Sequence, residues 1–564
     1  MNRVETAYDV IVVGSGGAGL RAALSSVEKG AKVLVLTKGE PQRSGGTLSA
    51  HYSFCAVPPI SSIGDTPEQF AEDIIRSSEG ISDPSLVRVL TERAYEAIAY
   101  AEALGVKFDR TEDGSDYHLG WVAGHTHARA FHVGNVVGRD LTKMLMRRLQ
   151  KQQVEIHAFT QVLQLHVEQG QYKGLFAYHY PTDELRYYSS KAVVIATGGG
   201  SQLYELNTNP VEATGDGYSL ALQAGIELVD MEFVQFYPTV LVAPRGTRGL
   251  MFNSGIVIPR GATIKNTHGQ DVWERNRAGD IKRATRDMMS KVMAAEIGAG
   301  YGTENGGLIV DASTVDDEDL PQLQQQLLTD LGVDGASKRY EVAPGAHYFM
   351  GGIRIDPHTA TSVKGVFAAG ECTGGLHGAN RLAGNALSEN QVFGAIAGHE
   401  AAGYALSRIP EVPGFQGNLN SSTTDYFQAH WGFVFDSRQA LTGSGGVVQW
   451  TKQLKSTMQR NVGVNRSEPK LRQALLECEH IEDALCSQFA VTYKSMPYNK
   501  DRMKAIGLRH MLMVAKAVIY SALERRESRG AHNRADFPEK QSEYQVSVAM
   551  RYSPHRWPHT LISR

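Results

Sequence analysis

The stretch YDVIVVGSGGAGLRAALSSVEKGAKVLVLTK, Tyr8 to Lys38, decides the fold. A buried β run, a glycine turn, an amphipathic helix and a second β run follow one another, and together they make a complete βαβ unit. Gly14 permits the tight turn, Gly16 lets the backbone approach a pyrophosphate, and Gly19 lets the helix pack against the strand. Gly17 and Ala18 complete the turn, and the free N–H groups of the helix start face the same phosphates. The unit predicts a Rossmann-like α/β domain with a nucleotide at its first turn. Its second strand should end on an acid that bonds a ribose, yet Thr37 and Lys38 stand there, which argues against a simple nicotinamide site.

Two further strands run into glycines. KAVVIATGGG brings Thr197, Gly198 and Gly199 to the end of an apolar run. VKGVFAAGECTGGLHGANRLAGNALSENQVFGAIAGHEAAGYA reads as strand, loop and long helix, with Gly370 and Glu371 in the loop and Asn385, Ala386 and Leu387 at the helix start. Three backbone approaches, spread from Gly14 to Leu387, suit a large two-part ligand better than a nicotinamide nucleotide. FAD is the expected cofactor.

A chain of 564 residues should divide into about two to four domains. Apolar residues at 42% and charged residues at 21% are globular values. A formal charge of −3 predicts no nucleic-acid partner, because polyanion binders concentrate Lys and Arg. Cys55, Cys372, Cys478 and Cys486 form no CxxC and no zinc-like or cluster-like spacing, so no metal or iron–sulfur centre is expected. The first residues run straight into a strand without a signal-type apolar region, and no apolar run approaches transmembrane length. The expectation is a soluble, cytoplasmic protein without membrane insertion.

With those residues in view, the chain resembles the flavoprotein family of succinate dehydrogenase, fumarate reductase and L-aspartate oxidase. The resemblance is carried by the N-terminal glycine turn, ATGGGSQLYELNTNPVEATGDGYSLALQAG, DMEFVQFYPT, ATRDMMS, HYFMGGI, AAGECTGGLHGANRLAGNALSE and ESRGAHNRADFP. It implies a Rossmann-like FAD-binding domain in two pieces (1–240 and 346–408), an inserted α+β capping domain (241–345), and a linker with a C-terminal helical domain (409–564). The residues agree independently. Between Tyr237 and His347, the helical TRDMMSKVMAAEIG and the charged STVDDEDLPQLQQQLLTDLG interrupt the glycine pattern. SRIPEVPGFQGNLNSSTTD reads as a linker, and KLRQALLECEHIEDALCSQFA and MKAIGLRHMLMVAKAVIYSALERR show helical periodicity. Further FAD contacts implied by the resemblance are Ser44, Gly45, Gly46, Thr47, Asn207, Asp216 and Arg381.

In the resembling enzymes a flat C–C bond beside a carboxylate lies over the flavin, and hydride passes between flavin N5 and one carbon. Arg381 matches their carboxylate-binding arginine, whose planar fork suits a bidentate grip. His347 matches the histidine that bonds a substrate carboxylate or carbonyl, and Arg286 the arginine that gives or takes the proton. An arginine acid is chemically odd, since its pKa normally exceeds about 12, but a dry site with neighbouring cations makes proton loss feasible. His125 falls where the family has a Gly-His pair and reads equally well as a core histidine.

Three departures matter. Tyr237 stands where the dicarboxylate enzymes carry the histidine of QFHPT, and a phenol brings no positive charge near pH 7. The family's Thr-Glu pair falls on Asn253 and Ser254, with Arg260 in the relay arginine's place at a longer spacing. Both changes sit where a second carboxylate would be held, so the far end of the substrate is expected to be an amide, ring, hydroxyl or aryl group. Gly45 stands where succinate dehydrogenase has the histidine that attaches FAD, so FAD is expected to be non-covalent. The leading expectation is a FAD-dependent oxidoreductase that reduces an acrylate-like or fumarate-like C=C bond of a small carboxylate, with Arg286 as proton donor. The alternatives are an L-aspartate-oxidase-like enzyme forming an imine, or the flavoprotein subunit of a larger complex. The C-terminal RWPHTLISR resembles the tail of succinate dehydrogenase flavoproteins and reads as inherited packing in preference to a docking surface for an iron–sulfur partner; an electron-donor or acceptor protein stays open, and the glycine- and helix-rich surfaces allow a homodimer.

Overall fold

The computed structural model describes the chain apart from residues 1, 51–52, 60–63, 123, 135, 317–336, 409–420, 437, 440–445, 554–555 and 563–564. Residues 2–7, 254, 256, 283, 421–424, 426, 438–439, 553 and 556–562 are described by their backbone alone. Most of the expected charged segment after Asp316 and most of the expected linker therefore lie outside the described residues, as do the side chains of the C-terminal tail.

The first βαβ unit forms as its sequence demands. The strands Asn2–Val13 and Val33–Leu36, joined by the helix Gly17–Glu28, pair in parallel within a seven-stranded sheet. Glu155–His157 extends it on one side, parallel to Val33–Leu36. On the other side, Glu184–Ile195 pairs parallel with the first strand. Its early residues also carry an antiparallel meander with Gln171–His179 and Thr160–Glu168, and its last residues pair with Val366–Ala368. Val10 to Val12, Leu34 to Leu36 and Ala192 to Ile195 have no accessible surface, as expected of a parallel sheet covered on both faces. The helix Asn385–Leu406 packs on Gly17–Glu28 so closely that a Cβ on Gly398 would lie 2.0 Å from Ala22 O. The late segment thus closes over the early one.

The inserted part is a second unit with its own core. Val234–Leu241, Arg339–Phe349, Leu308–Asp311 and Thr263–Lys265 make a four-stranded antiparallel sheet. Leu241, Phe252, Trp273, Met293, Val310 and Val342 fill its interior under the helix Arg286–Glu296. Val234–Leu241 and Arg339–Phe349 run out of the first body into this inserted unit as a paired stem, with register breaks at Gln235/Phe236 and Tyr237/Val240.

The helices Val447–Asn461, Glu468–Gln488 and Lys500–Glu524 share one continuous core with the nucleotide domain. Lys500–Glu524 corrects one expectation: it is long and apolar enough to cross a membrane, with a mean hydropathy of 1.3 over its best window, but 78% of that window is buried inside the protein. Its alanines, methionines and valines serve packing. Arg525 and Arg466, both fully buried, reach the DMEF segment, where Arg525 pairs with Glu232 and Arg466 Nη1 donates to the Glu232 carbonyl at 2.7 Å.

Candidate active site

One cavity of about 1450 Å³ runs between the first βαβ turn and the cap. Single small ligands fill about 300–1,000 Å³, so this volume suits a dinucleotide with a small substrate beside it.

At the nucleotide end the wall is backbone. Gly14, at φ +112°, would bring a Cβ to 2.2 Å from Ala196 O, and Gly19 would bring one to 2.0 Å from Gly14 O. Both positions therefore require glycine. A Cβ on Gly16 would project into open space within the cavity, opposite Gly45. The helices Gly17–Glu28 and Asn385–Leu406 have glycine N-caps, Gly16 and Gly384, with no side-chain cap; Gly17 N–H donates to Thr47 Oγ1 at 3.1 Å, and the other first-turn N–H groups face the cavity end where an anion would sit. The buried Oγ of Thr197, which also lines the cavity, has no hydrogen-bond partner in the protein. Lys38 Nζ pairs with Asp216 Oδ2 at 2.9 Å, and Gln161 Nε2 donates to the same oxygen at 2.9 Å. Burial raises the Asp216 carboxyl, but Lys38 and the Thr214 hydroxyl outweigh it and hold the group down at about 2. These residues fit FAD, with two helix starts for its phosphates.

At the other end the wall is side chains, drawn from four segments. Tyr237 and His347 come from the two stem strands, with ring centroids 5.5 Å apart. The Arg286 guanidinium, from the start of the cap helix, lies 5.1 Å from the Tyr237 ring centre. Arg381, from the loop before Asn385, lies 4.1 Å over the Tyr348 ring, and its Nη2 donates to Gln235 Oε1 at 3.0 Å. The Arg381 Nε is buried without a partner, as expected of a fork that takes an incoming carboxylate. Thr208 Oγ and His347 Nδ1 share a hydrogen bond of 2.8 Å, which fixes the ring and turns Nε2 away from the threonine.

The electrostatics follow. Burial pushes Arg286 down to about 10; Tyr237 opposes the shift and Arg381 adds to it. Burial, then Arg381 and Arg286, hold His347 well below the usual imidazole range, so it is neutral at pH 7. Arg381 is lowered by burial and supported by Tyr348, Glu371 and Glu389.

A model of the FAD binding domain matches residues 9–387, and a model of the fumarate reductase flavoprotein C-terminus matches residues 451–561. Over 546 residues, 96% of each chain, the protein is 34% identical to one of the subunits of the fumarate reductase (CoM/CoB) of Methanothermobacter marburgensis. It is 30% identical to the L-aspartate oxidase of a Synechocystis species, over 95% of this chain and 96% of that one. The solved structure of Sdh1 from Mycobacterium smegmatis in complex with UQ1 superposes with a TM-score of 0.89 at 30% identity, covering 100% of this chain and 95% of that one. The chain belongs to the fumarate reductase and succinate dehydrogenase flavoprotein family. It is a FAD-dependent oxidoreductase.

Within this flavoprotein, Gly14, Gly16, Gly17, Ala18, Thr37, Lys38, Ser44, Gly45, Gly46, Thr47, Thr197, Gly198, Gly199, Asp216, Gly370, Glu371, Ala386 and Leu387 line the cavity. So do Tyr237, Arg286, His347 and Arg381. Gly19 acts behind the lining, and Asn207 spends its side chain on Gln202 and the Tyr204 carbonyl. Asn385 is fully buried off the lining, with both amide atoms unpaired. Arg260 is exposed and stands off the cavity, although its neighbours Ile258 and Pro259 line it. His125 is a core residue: it is buried against Ala383 O at 2.9 Å, and burial lowers it to about 4.

Sequence reading missed Gln235, Asn380 and Tyr348 as supports of Arg381. A glutamine inside an otherwise apolar buried strand was the available signal. It also missed Asp109, Trp121 and His132, which line the cavity from a loop-rich segment without periodicity.

Proposed function

We propose that this flavoprotein reduces a C=C bond next to a carboxylate in a substrate with a single carboxylate end. The observation that carries the reading is the position of Tyr237, between the neutral His347 and Arg286, where the phenol adds no charge. Arg381 alone then grips a carboxylate through its fork. His347 Nε2 bonds the same carboxylate or an adjacent carbonyl. Arg286 gives a guanidinium proton to the substrate carbon, and a pKa near 10 makes it a stronger acid than an exposed arginine. Bound FAD supplies the hydride. The cap excludes water, which strengthens each of these contacts. Gly45 supports a non-covalent flavin, which acid precipitation would release into the supernatant. The Methanothermobacter relative, itself one part of a larger enzyme, supports an electron-donor protein as a partner.

The test is anaerobic: pre-reduce the bound flavin, add fumarate or a panel of monocarboxylate acrylates, and follow flavin absorbance. Reoxidation by a monocarboxylate acrylate and not by fumarate is expected. Preferential reoxidation by fumarate would overturn the single-carboxylate reading. Silence to every acrylate, with flavin reduction by an amino acid, would replace it with amine oxidation.

A further inference from the structure

A second cavity of about 420 Å³ lies behind the first, between the cap helix Arg286–Glu296 and the loop of residues 528–540. Three residues line both cavities: Glu79, Gln235 and Asp287. Of these, Gln235 and Asp287 are linked through Asn380 in a hydrogen-bond chain that starts at Arg381. Arg381 Nη2 donates to Gln235 Oε1 at 3.0 Å, Gln235 Nε2 to Asn380 Oδ1 at 3.0 Å, and Asn380 Nδ2 to Asp287 Oδ1 at 3.0 Å. The rear cavity reaches solvent at its rim, where Met288 is 38% exposed and the Lys540 side chain 58%. Its volume holds several waters, at about 30 Å³ each, and its polar lining would bind them.

Arg286 needs a fresh proton for every turnover. On the cap side of the front cavity, Asn253, Gly255, Ile258 and Pro259 carry no acid, Lys282 lines the cavity but is an exposed ammonium four residues before Arg286, and Arg260 stands off the lining. Other carboxylates of the front cavity are engaged away from Arg286: Asp216 by Lys38, Asp109 by His132, and Glu371 by the Phe349 N–H at 3.0 Å. Glu212 belongs to the nucleotide end, beside Gly39. Asp287 follows Arg286 directly and faces both cavities. The other titratable groups around the rear cavity are Glu79, paired with Lys540 at 2.8 Å, and Lys291, Arg529, His532 and Glu539.

Resting on the proton-donor role given to Arg286, we propose that Asp287 carries protons from the rear cavity to Arg286. In each turnover the guanidinium loses one proton to the substrate carbon. Asp287, protonated from water in the rear cavity, returns one proton through a bridging water, and its carboxylate is reprotonated from behind. The route stays wet while FAD and substrate dry the front.

Asp287→Asn keeps an acceptor for Asn380 and removes the acid. With wild-type and variant holoenzyme, one measures single-turnover reoxidation of pre-reduced flavin, in which Arg286 is already charged, and steady-state reduction with reduced viologen as donor. The expected result is a single-turnover rate within about twofold of wild type and a steady-state kcat reduced about tenfold or more, at the low end of acid–base contributions. The loss should deepen as pH rises, and formate or acetate should partly restore the rate. Asp287→Glu should retain most of it. Equal loss in both assays would mark Asp287 as structural, and unchanged kcat with an unchanged pH profile would also overturn the proposal. A wild type silent to every acrylate and to fumarate would instead overturn the reductase reading beneath it.

Discussion

The two ends of the cavity are built from different material. The nucleotide end is backbone and glycine, held where an added Cβ would come within 2.0 to 2.2 Å of a carbonyl oxygen. The substrate end is side chains from four separate segments, meeting at ring and guanidinium distances of 4.1 to 5.5 Å. Backbone walls tolerate almost no substitution, so the cofactor is fixed by the fold. Side-chain walls exchange one group for another, so substrate choice can change while the fold stays.

Gly14→Ala should have the largest effect. It combines positive φ with a backbone clash, worth about 3 kcal/mol or more together, and should yield a protein with a lowered Tm and no flavin. Thermal unfolding and bound-flavin absorbance check it, and a stable, yellow variant would break the contrast. Arg286→Gln should keep the flavin and lower kcat for reduction by about 10²–10⁴-fold. In the wild type, that rate should hold up to high pH and fall as pH rises through about 10, because the proton must be on Arg286 to be given. Tyr237→His should shift the preference between fumarate and a monocarboxylate acrylate towards fumarate by about tenfold, near the value of one hydrogen bond to a charged group. Arg260→Ala should be the mildest, with kcat/KM within about twofold, because an exposed side chain off the lining contributes little.

Legibility in the sequence follows the same divide. Gly14 and Gly19 could be read because a close backbone approach leaves glycine as its mark. Arg286, His347 and Arg381 were readable through their motifs, whereas neither pattern nor spacing showed that Tyr237 would lie between His347 and Arg286. The Gln235–Asn380–Asp287 chain joins positions far apart in sequence, and periodicity carries no record of such contacts. Lys500–Glu524 was legible as a helix from its periodicity, whereas its apolar length was not counted, because an apolar core helix and a membrane-spanning one differ only in what surrounds them.

The clamp on the DMEF segment has a consequence for how the protein is made. Glu232 and Asp230 are fully buried beside the strand that carries Tyr237, and their partner Arg525 lies 293 residues beyond Glu232. At about 5–20 residues per second, a ribosome reaches that arginine roughly 15–60 s after the acids have emerged. Through that interval the two carboxylates lack the cation that pairs with both of them and stay in water. The substrate end therefore cannot set during synthesis as the nucleotide turn can, and the enzyme becomes competent only when its last helix docks.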